Sequence, residues 1–149
     1  MQFFRIASFD HKIFSRLGAA IVGGRWNSIG SQVIYAATSL AGAKLELLAH
    51  TGFRCIPKNY GYVEIRVPSG VTKIDYPRPT PPKETSSQAW GDKWVIEKRS
   101  AVALVPSASS PSDFNALINP AHPDFDQIVV SAEYPVLWDR RHFAPKTQN

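Results

Sequence analysis

Residues 23–50 read GGRWNSIGSQVIYAATSLAGAKLELLAH, and the second half of this stretch decides the fold. VIYAA at 33–37 is a short apolar run with a β-branched and aromatic start, which predicts a buried strand. Thr38 and Ser39 then offer hydroxyls suited to an N-cap, LAGAKLELLAH follows, and Gly52 is a stop signal. A helix over about 39–51 is therefore expected. At 100° per residue, Leu40, Ala41, Ala43, Leu45, Leu47, Leu48 and Ala49 cover most of its circumference, so it is largely buried. Lys44 and Glu46 interrupt that surface. Glu46 falls on a narrow strip shared with Gly42 and His50.

The first half, GGRWNSIG, mixes backbone freedom with side-chain chemistry. A Walker loop needs a Lys followed by Ser or Thr after its last glycine, and none is present. A dinucleotide fingerprint needs its glycines between a strand and a helix, whereas here a strand follows. The remaining readings are an ordinary flexible turn, or a turn from which Arg25 makes a bidentate contact to phosphate or carboxylate.

Outward from this segment, FFRI at 3–6 reads as a short strand, 11–17 has no clear preference, and 18–31 reads as loop. YGYVEIRV at 60–67 alternates as a strand should, Pro68-Ser69-Gly70 turns the chain, and VTKI at 71–74 is placed to pair back. PRPTPP at 77–82 suits only a surface crossover. SQAWGDKWVIEKR at 87–99 predicts a helix weakened by Gly91, and SAVALV at 100–105 a buried strand. A loop at 106–113 precedes FNALINP, read as a short helical turn or loop. QIVVSA at 127–132 is a further strand, and the chain after Pro135 is loop. Strands outnumber helices without regular βα alternation, which favours α+β over a doubly wound parallel sheet.

The 149 residues fit one domain, and 44% apolar content supplies a core. At 19% charged residues the chain is not a disordered tail. It has no apolar run of about 18 residues, so no transmembrane helix is expected, and its start lacks the pattern of a signal peptide. The single Cys55 cannot form an internal disulfide, which suits a reducing cytoplasm. The net charge of +5 permits a phosphate-bearing small molecule, an acidic protein or nucleic acid, but the Lys and Arg are scattered, with no basic stripe. His11, His50, His122 and His142 lie far apart and there is no second cysteine, so no metal site is expected. A G-x-S-x-G nucleophile elbow is also missing.

Two further side chains of the opening stretch carry alternatives. Glu46 is either a solvated or salt-bridged carboxylate, or one aimed into a cleft from a rigid helix, where it can hydrogen-bond a ribose hydroxyl and stabilise a cationic sugar. Tyr35 either packs in the core with its hydroxyl satisfied or stacks on a flat heterocycle beside a pocket.

With GDKWV at 91–95, VPSA at 105–108, LINPAHPDF at 117–125 and WDRR at 138–141, the GGRWN segment resembles the RES-domain family, from about Arg5 to Arg141. WDRR lacks the proline that family members often carry between its Asp and Arg. The resemblance implies a single compact α+β domain over 1–149, of the ADP-ribosyltransferase type, with mixed or antiparallel sheet, a few helices and a short C-terminal tail. It implies an NAD⁺-depleting toxin of a toxin–antitoxin module, with NAD⁺ as substrate and no cofactor. The family Arg falls on Arg25, the Tyr on Tyr35, the Glu on Glu46 and the Ser on Ser107; the Asn falls on Asn115 or Asn119. Ser109 and Ser110 are also placed to approach the ligand.

The implied roles follow. Glu46 holds a ribose hydroxyl and offsets the growing positive charge, and Arg25 grips a phosphate or helps order the pocket. Tyr35 flanks or stacks on the nicotinamide, and Ser107 adds a hydrogen bond near the same ribose. Gly23 and Gly24 form a mobile lip with Arg25 reaching inward, Trp26 packing and Asn27 pinning the turn beside the substrate. The implied partner is an Xre-like helix-turn-helix antitoxin, through which alone DNA is bound; no membrane is involved, and a homo-oligomer is left open. The alternatives are an ADP-ribosyltransferase that modifies a protein, and an inactive binding subunit.

Overall fold

The computed structural model describes residues 1–143; the end of the expected tail lies outside the described residues. Strand β1 (Gln2–Ser8) is followed by helix α1 (Leu17–Val22), β2 (Ile34–Ala37), α2 (Leu40–Thr51), β3 (Tyr60–Arg66), β4 (Lys73–Asp75), α3 (Glu84–Glu97), β5 (Val102–Pro106), β6 (Phe114–Ile118), β7 (Val129–Val130) and β8 (Tyr134–Pro135). The strands form one sheet in the order β4-β5-β6-β2-β1-β3-β7, with β8 also paired to β3. Among the described residues only β4 and β5 run parallel; the other pairs are antiparallel. The result is a mixed sheet with helices, the α+β class that the sequence implies.

Local chemistry sets the strand-to-helix unit at 34–51. Ser39 has extended backbone, and its Oγ accepts from the Gly42 N–H at 2.9 Å, a standard N-cap bond. Gly52, with φ 87°, ends the helix.

Both faces of the sheet carry core. On one, Phe3, Ile34, Val63, Ile65, Val102 and Ile118 are buried beneath Phe14, Phe125 and Ile128. On the other, α3 packs Trp94 and Trp90 against Val105, Leu117, Trp26 and Tyr35. Trp94 is wholly buried, and its Nε1–H donates to Ser100 Oγ (2.8 Å), which donates on to the Val102 carbonyl (2.7 Å). The indole therefore leaves no unpaired donor, and its burial contributes on the order of 2–3 kcal/mol.

Several local expectations are overturned by tertiary pairing. FNALINP is neither turn nor loop: residues 114–118 form β6, near the middle of the sheet, hydrogen-bonded on one edge to β5 and on the other to β2. VTKI does not pair back on β3. Residues 73–75 instead run parallel to β5, because α3 supplies the crossover that a parallel pair requires. The 18–31 loop includes part of the short helix α1. The strand expected at 127–132 is shortened to β7, and the segment after Pro135 closes in a 3₁₀ turn at Arg140–His142. The helix expected at 87–99 is α3, which begins three residues earlier, at Glu84, and ends at Glu97.

Gly91 does not weaken that helix for lack of purpose. A Cβ there would lie 1.7 Å from the Trp26 carbonyl oxygen. The bare backbone lets α3 press directly on the GGRWN loop.

Candidate functional site

A cavity of about 890 Å³ opens between α2, the GGRWN loop and the sheet, within the range of small-molecule sites. Ala43, Glu46, Leu47 and His50, spaced three or four residues apart on α2, face it. Phe4, Arg5, Tyr35, Asn115, Tyr60, Gly24 and Arg25 complete much of its wall.

Glu46 stands at the centre of the polar contacts. Its Oε1 accepts from Ser107 Oγ and from Asn115 Nδ2, both at 2.8 Å, and its Oε2 accepts from Ser109 Oγ at 2.9 Å. Ser107 Oγ in turn accepts from the backbone N–H groups of Ser109 (3.2 Å) and Ser110 (3.0 Å). Those two N–H groups direct its own proton to the carboxylate. No Lys or Arg is paired with Glu46 among the described residues, so its charge is held by neutral donors and stays available to a cation. Neither the solvated nor the salt-bridged reading of Glu46 describes this arrangement.

The arginine brought to the cavity's inner wall is Arg5, which the sequence reading left without a role. β1 and β2 share only the pair Phe4↔Ala37, whereas β1 and β3 stay in register from Gln2↔Arg66 to Ser8↔Tyr60. Where β1 and β2 part, Arg5 Nη1 donates to the Tyr35 carbonyl (2.9 Å) and Nε to the Ile13 carbonyl (2.7 Å). Burial holds the guanidinium below its ordinary value, yet an arginine stays protonated across the physiological range. It has no carboxylate partner among the described residues. A charged residue inside the apolar run FFRIA was the available signal.

Arg25 is exposed at the rim, and the loop that carries it is not a mobile lip. Gln88 Nε2 donates to the Gly24 carbonyl (2.9 Å), and the Ser28 backbone N–H (3.0 Å) and Oγ (2.5 Å) donate to Asp92, both from α3. Trp26 is buried and packs edge-on to Trp90 and Tyr76. Asn27, also buried, donates from Nδ2 to the Ala19 and Ser31 carbonyls and pins the turn; it stands behind Tyr35 and outside the cavity wall. Asn119 does not reach the cavity either. Its amide donates to the Val95 carbonyl and its Oδ1 caps the Ala121 N–H, which leaves Asn115 as the asparagine beside Glu46.

The Tyr35 hydroxyl donates to Asn27 Oδ1 (2.5 Å) and accepts from the Trp26 N–H (3.0 Å), while the residue still lines the cavity. It is thus both satisfied and part of the wall. Gly24 makes this possible, since a Cβ there would lie 2.6 Å from the hydroxyl. Burial pushes the Tyr35 hydroxyl up to about 12. The unfolded tyrosine ionises near pH 10. The folded state thus keeps a proton that the unfolded state loses, and stability contributed by Tyr35 falls as pH rises from about 10 to about 12. Tyr35→Phe should flatten the pH dependence of urea-unfolding free energy in that window. At pH 7 it should cost about 1–3 kcal/mol through the orphaned Asn27 and Trp26 groups. An unchanged alkaline slope would refute this assignment.

A sequence model of the RES domain matches residues 2–139. The chain is 38% identical over 153 residues to the Prs ADP-ribosylating toxin of Sphingobium sp. (strain YBL2), covering 94% of this chain and 95% of that protein. It is 32% identical to Toxin Res of Photorhabdus laumondii, with 83% of each chain covered. In structure it is similar to a chain of the M. tuberculosis MbcT–MbcA toxin–antitoxin complex. There the TM-score is 0.66 at 17% identity, covering 89% of this chain and 81% of that one, which shows a shared fold.

Proposed function

The chain belongs to the RES-domain family, and from that premise we propose that it is an NAD⁺-cleaving toxin that breaks the nicotinamide–ribose bond by hydrolysis or phosphorolysis. The observation that carries this reading is the Glu46 carboxylate, held by Ser107, Ser109 and Asn115 in the same cavity as the Arg5 cation, which has no carboxylate partner among the described residues. NAD⁺ needs such a pair of charges: one for its pyrophosphate, one for the sugar cation that forms as nicotinamide departs.

Nicotinamide leaves as a neutral ring and takes the C–N bonding pair with it, so no general acid is required. Positive charge grows on the ribose, and Glu46 stabilises it and accepts a ribose hydroxyl. Ser107 and Asn115 keep the carboxylate in place, Arg5 binds the pyrophosphate from the gap between β1 and β2, and the Tyr35 ring forms a wall for the nicotinamide. Arg25 offers a second cation to phosphate at the rim. Water then adds to the anomeric carbon and loses a proton to solvent, or phosphate adds through an anionic oxygen with no proton to lose.

A second reading, transfer of ADP-ribose to a protein, is favoured by the name of the Sphingobium relative. The two differ only in the acceptor. Incubating purified protein with NAD⁺, with and without phosphate, and separating the products distinguishes them. Hydrolysis gives free nicotinamide with ADP-ribose, and phosphorolysis a phosphorylated ADP-ribose that appears only with phosphate. Transfer places adenylate label on macromolecules in a cell extract. Absence of nicotinamide release in every arm would overturn both readings.

A toxin that drains NAD⁺ acts in the cytoplasm and requires restraint. We assign that role to an Xre-like helix-turn-helix antitoxin, through which the complex binds DNA. The helices among the described residues are not long and apolar enough to cross a membrane.

A further inference from the structure

The cavity extends well past the groups that the proposed reaction uses. Asn115 is level with Ala37, Phe4 and Glu64 across the sheet. Tyr60 lies four residues along β3 from Glu64, at the Ser8 end of β1. From Asn115 this is three strand spacings across, ~14 Å, and ~13 Å along the strands. The pairings place Asn115, Ala37, Phe4 and Tyr60 on one face of the sheet, so Tyr60 and Asn115 address the same cavity from opposite corners. Above them α2 runs back from Ala37, and His50 and Thr51 of its exposed last turn line the same cavity as Tyr60.

These residues have their own chemistry. His50 Nδ1 lies 2.9 Å from the Glu46 carbonyl, which only accepts, so the neutral ring carries its proton on Nδ1. Its Nε2 is left as an acceptor. Thr51 Oγ1 donates to the Leu47 carbonyl (3.1 Å) and keeps its lone pairs. A half-buried phenol ring in a cavity that also presents these acceptor atoms suits a planar heterocycle with an exocyclic amine. Arg5, midway along β1, lies between the Tyr60 corner and Glu46.

We propose that Tyr60, His50 and Thr51 form a purine-base subsite. Tyr60 stacks on the adenine and His50 Nε2 accepts from its amine. The pyrophosphate crosses at Arg5, and the nicotinamide ribose reaches Glu46. This rests on the NAD⁺ reading for its substrate but not for its test, which uses AMP, a ligand that lacks the scissile bond. Calorimetric titration of AMP into the full chain should show binding that Tyr60→Phe preserves and Tyr60→Ala weakens roughly tenfold, the scale of stacking one base on one ring. In turnover, Tyr60→Ala should raise KM for NAD⁺ with kcat held, and leave cleavage of nicotinamide mononucleotide, which lacks the adenylate, unchanged.

AMP binding that is absent, or equal in wild type and Tyr60→Ala, would overturn the subsite. So would an equal loss on both substrates. If AMP binding depends on Tyr60 while wild type releases no nicotinamide, the reaction assignment fails and the base subsite stands. If NAD⁺ is cleaved but AMP ignores Tyr60, the subsite alone fails.

Discussion

Glu46→Gln is expected to lower nicotinamide release from NAD⁺ by about 10²–10³-fold while NAD⁺ binding weakens only a few-fold. The geometry makes this a clean removal of charge. The amide oxygen can keep the position of Oε1 and accept from Ser107 and Asn115, whose donors point there. The amide NH₂ then faces Ser109, whose hydroxyl rotates from donor to acceptor. The fold should barely register the change, with a loss of stability below about 1 kcal/mol by urea unfolding. What disappears is the negative charge opposite the developing sugar cation. A glutamine variant that releases nicotinamide at nearly the wild-type rate would sink the role assigned to Glu46.

Gly91→Ala is expected to produce the largest loss of stability, about 3 kcal/mol or more, read as a fall in the urea midpoint with m unchanged. Alanine is ordinarily the better helix residue by about 1 kcal/mol. Here its Cβ would sit 1.7 Å from the Trp26 carbonyl oxygen and 2.8 Å from the carbonyl carbon, both backbone atoms that cannot rotate aside. The helix and loop must separate, which loosens the Gln88–Gly24 and Asp92–Ser28 bonds and the wall behind Tyr35. Gly18, in α1, provides the control: a Cβ there meets nothing within 4 Å, so Gly18→Ala should be neutral or stabilising. If Gly91→Ala were equally benign, the contact between α3 and the GGRWN loop would not be what holds that loop.

Much of the frame was legible where short-range physics dominates. The run VIYAA, the Ser39 cap and Gly52 mark β2 and α2 to within a residue or two, because capping and backbone conformation act within a turn of the chain. Of the strip of α2 that periodicity assigns to Gly42, Glu46 and His50, Glu46 and His50 face the cavity; Gly42 does not, and Ala43 and Leu47 do instead. By contrast, FNALINP has a proline and two asparagines and looks like a turn, yet it is a strand because β5 and β2 hydrogen-bond it from both sides. VTKI follows a turn and looks like the return arm of a hairpin. Its partner is fixed by a helical crossover that no local pattern announces.

The site divides in the same way. By itself the sequence determined that a capped helix carrying a carboxylate follows a strand, since 3.6-residue periodicity and an N-cap need only neighbouring residues; the expected burial of most of that helix does not hold, because only Ala43 and Leu48 are buried and its last turn is exposed. Only the tertiary structure decided what meets it. Ser107 and Asn115 lie 61 and 69 residues from Glu46 along the chain and reach it through the order of strands in the sheet. Arg5 reaches the cavity because β1 and β2 part after a single pair, leaving a gap that a guanidinium fills. Strand order and the parting of strands are set by which distant faces can be buried together, a balance struck across the whole core rather than within any one segment.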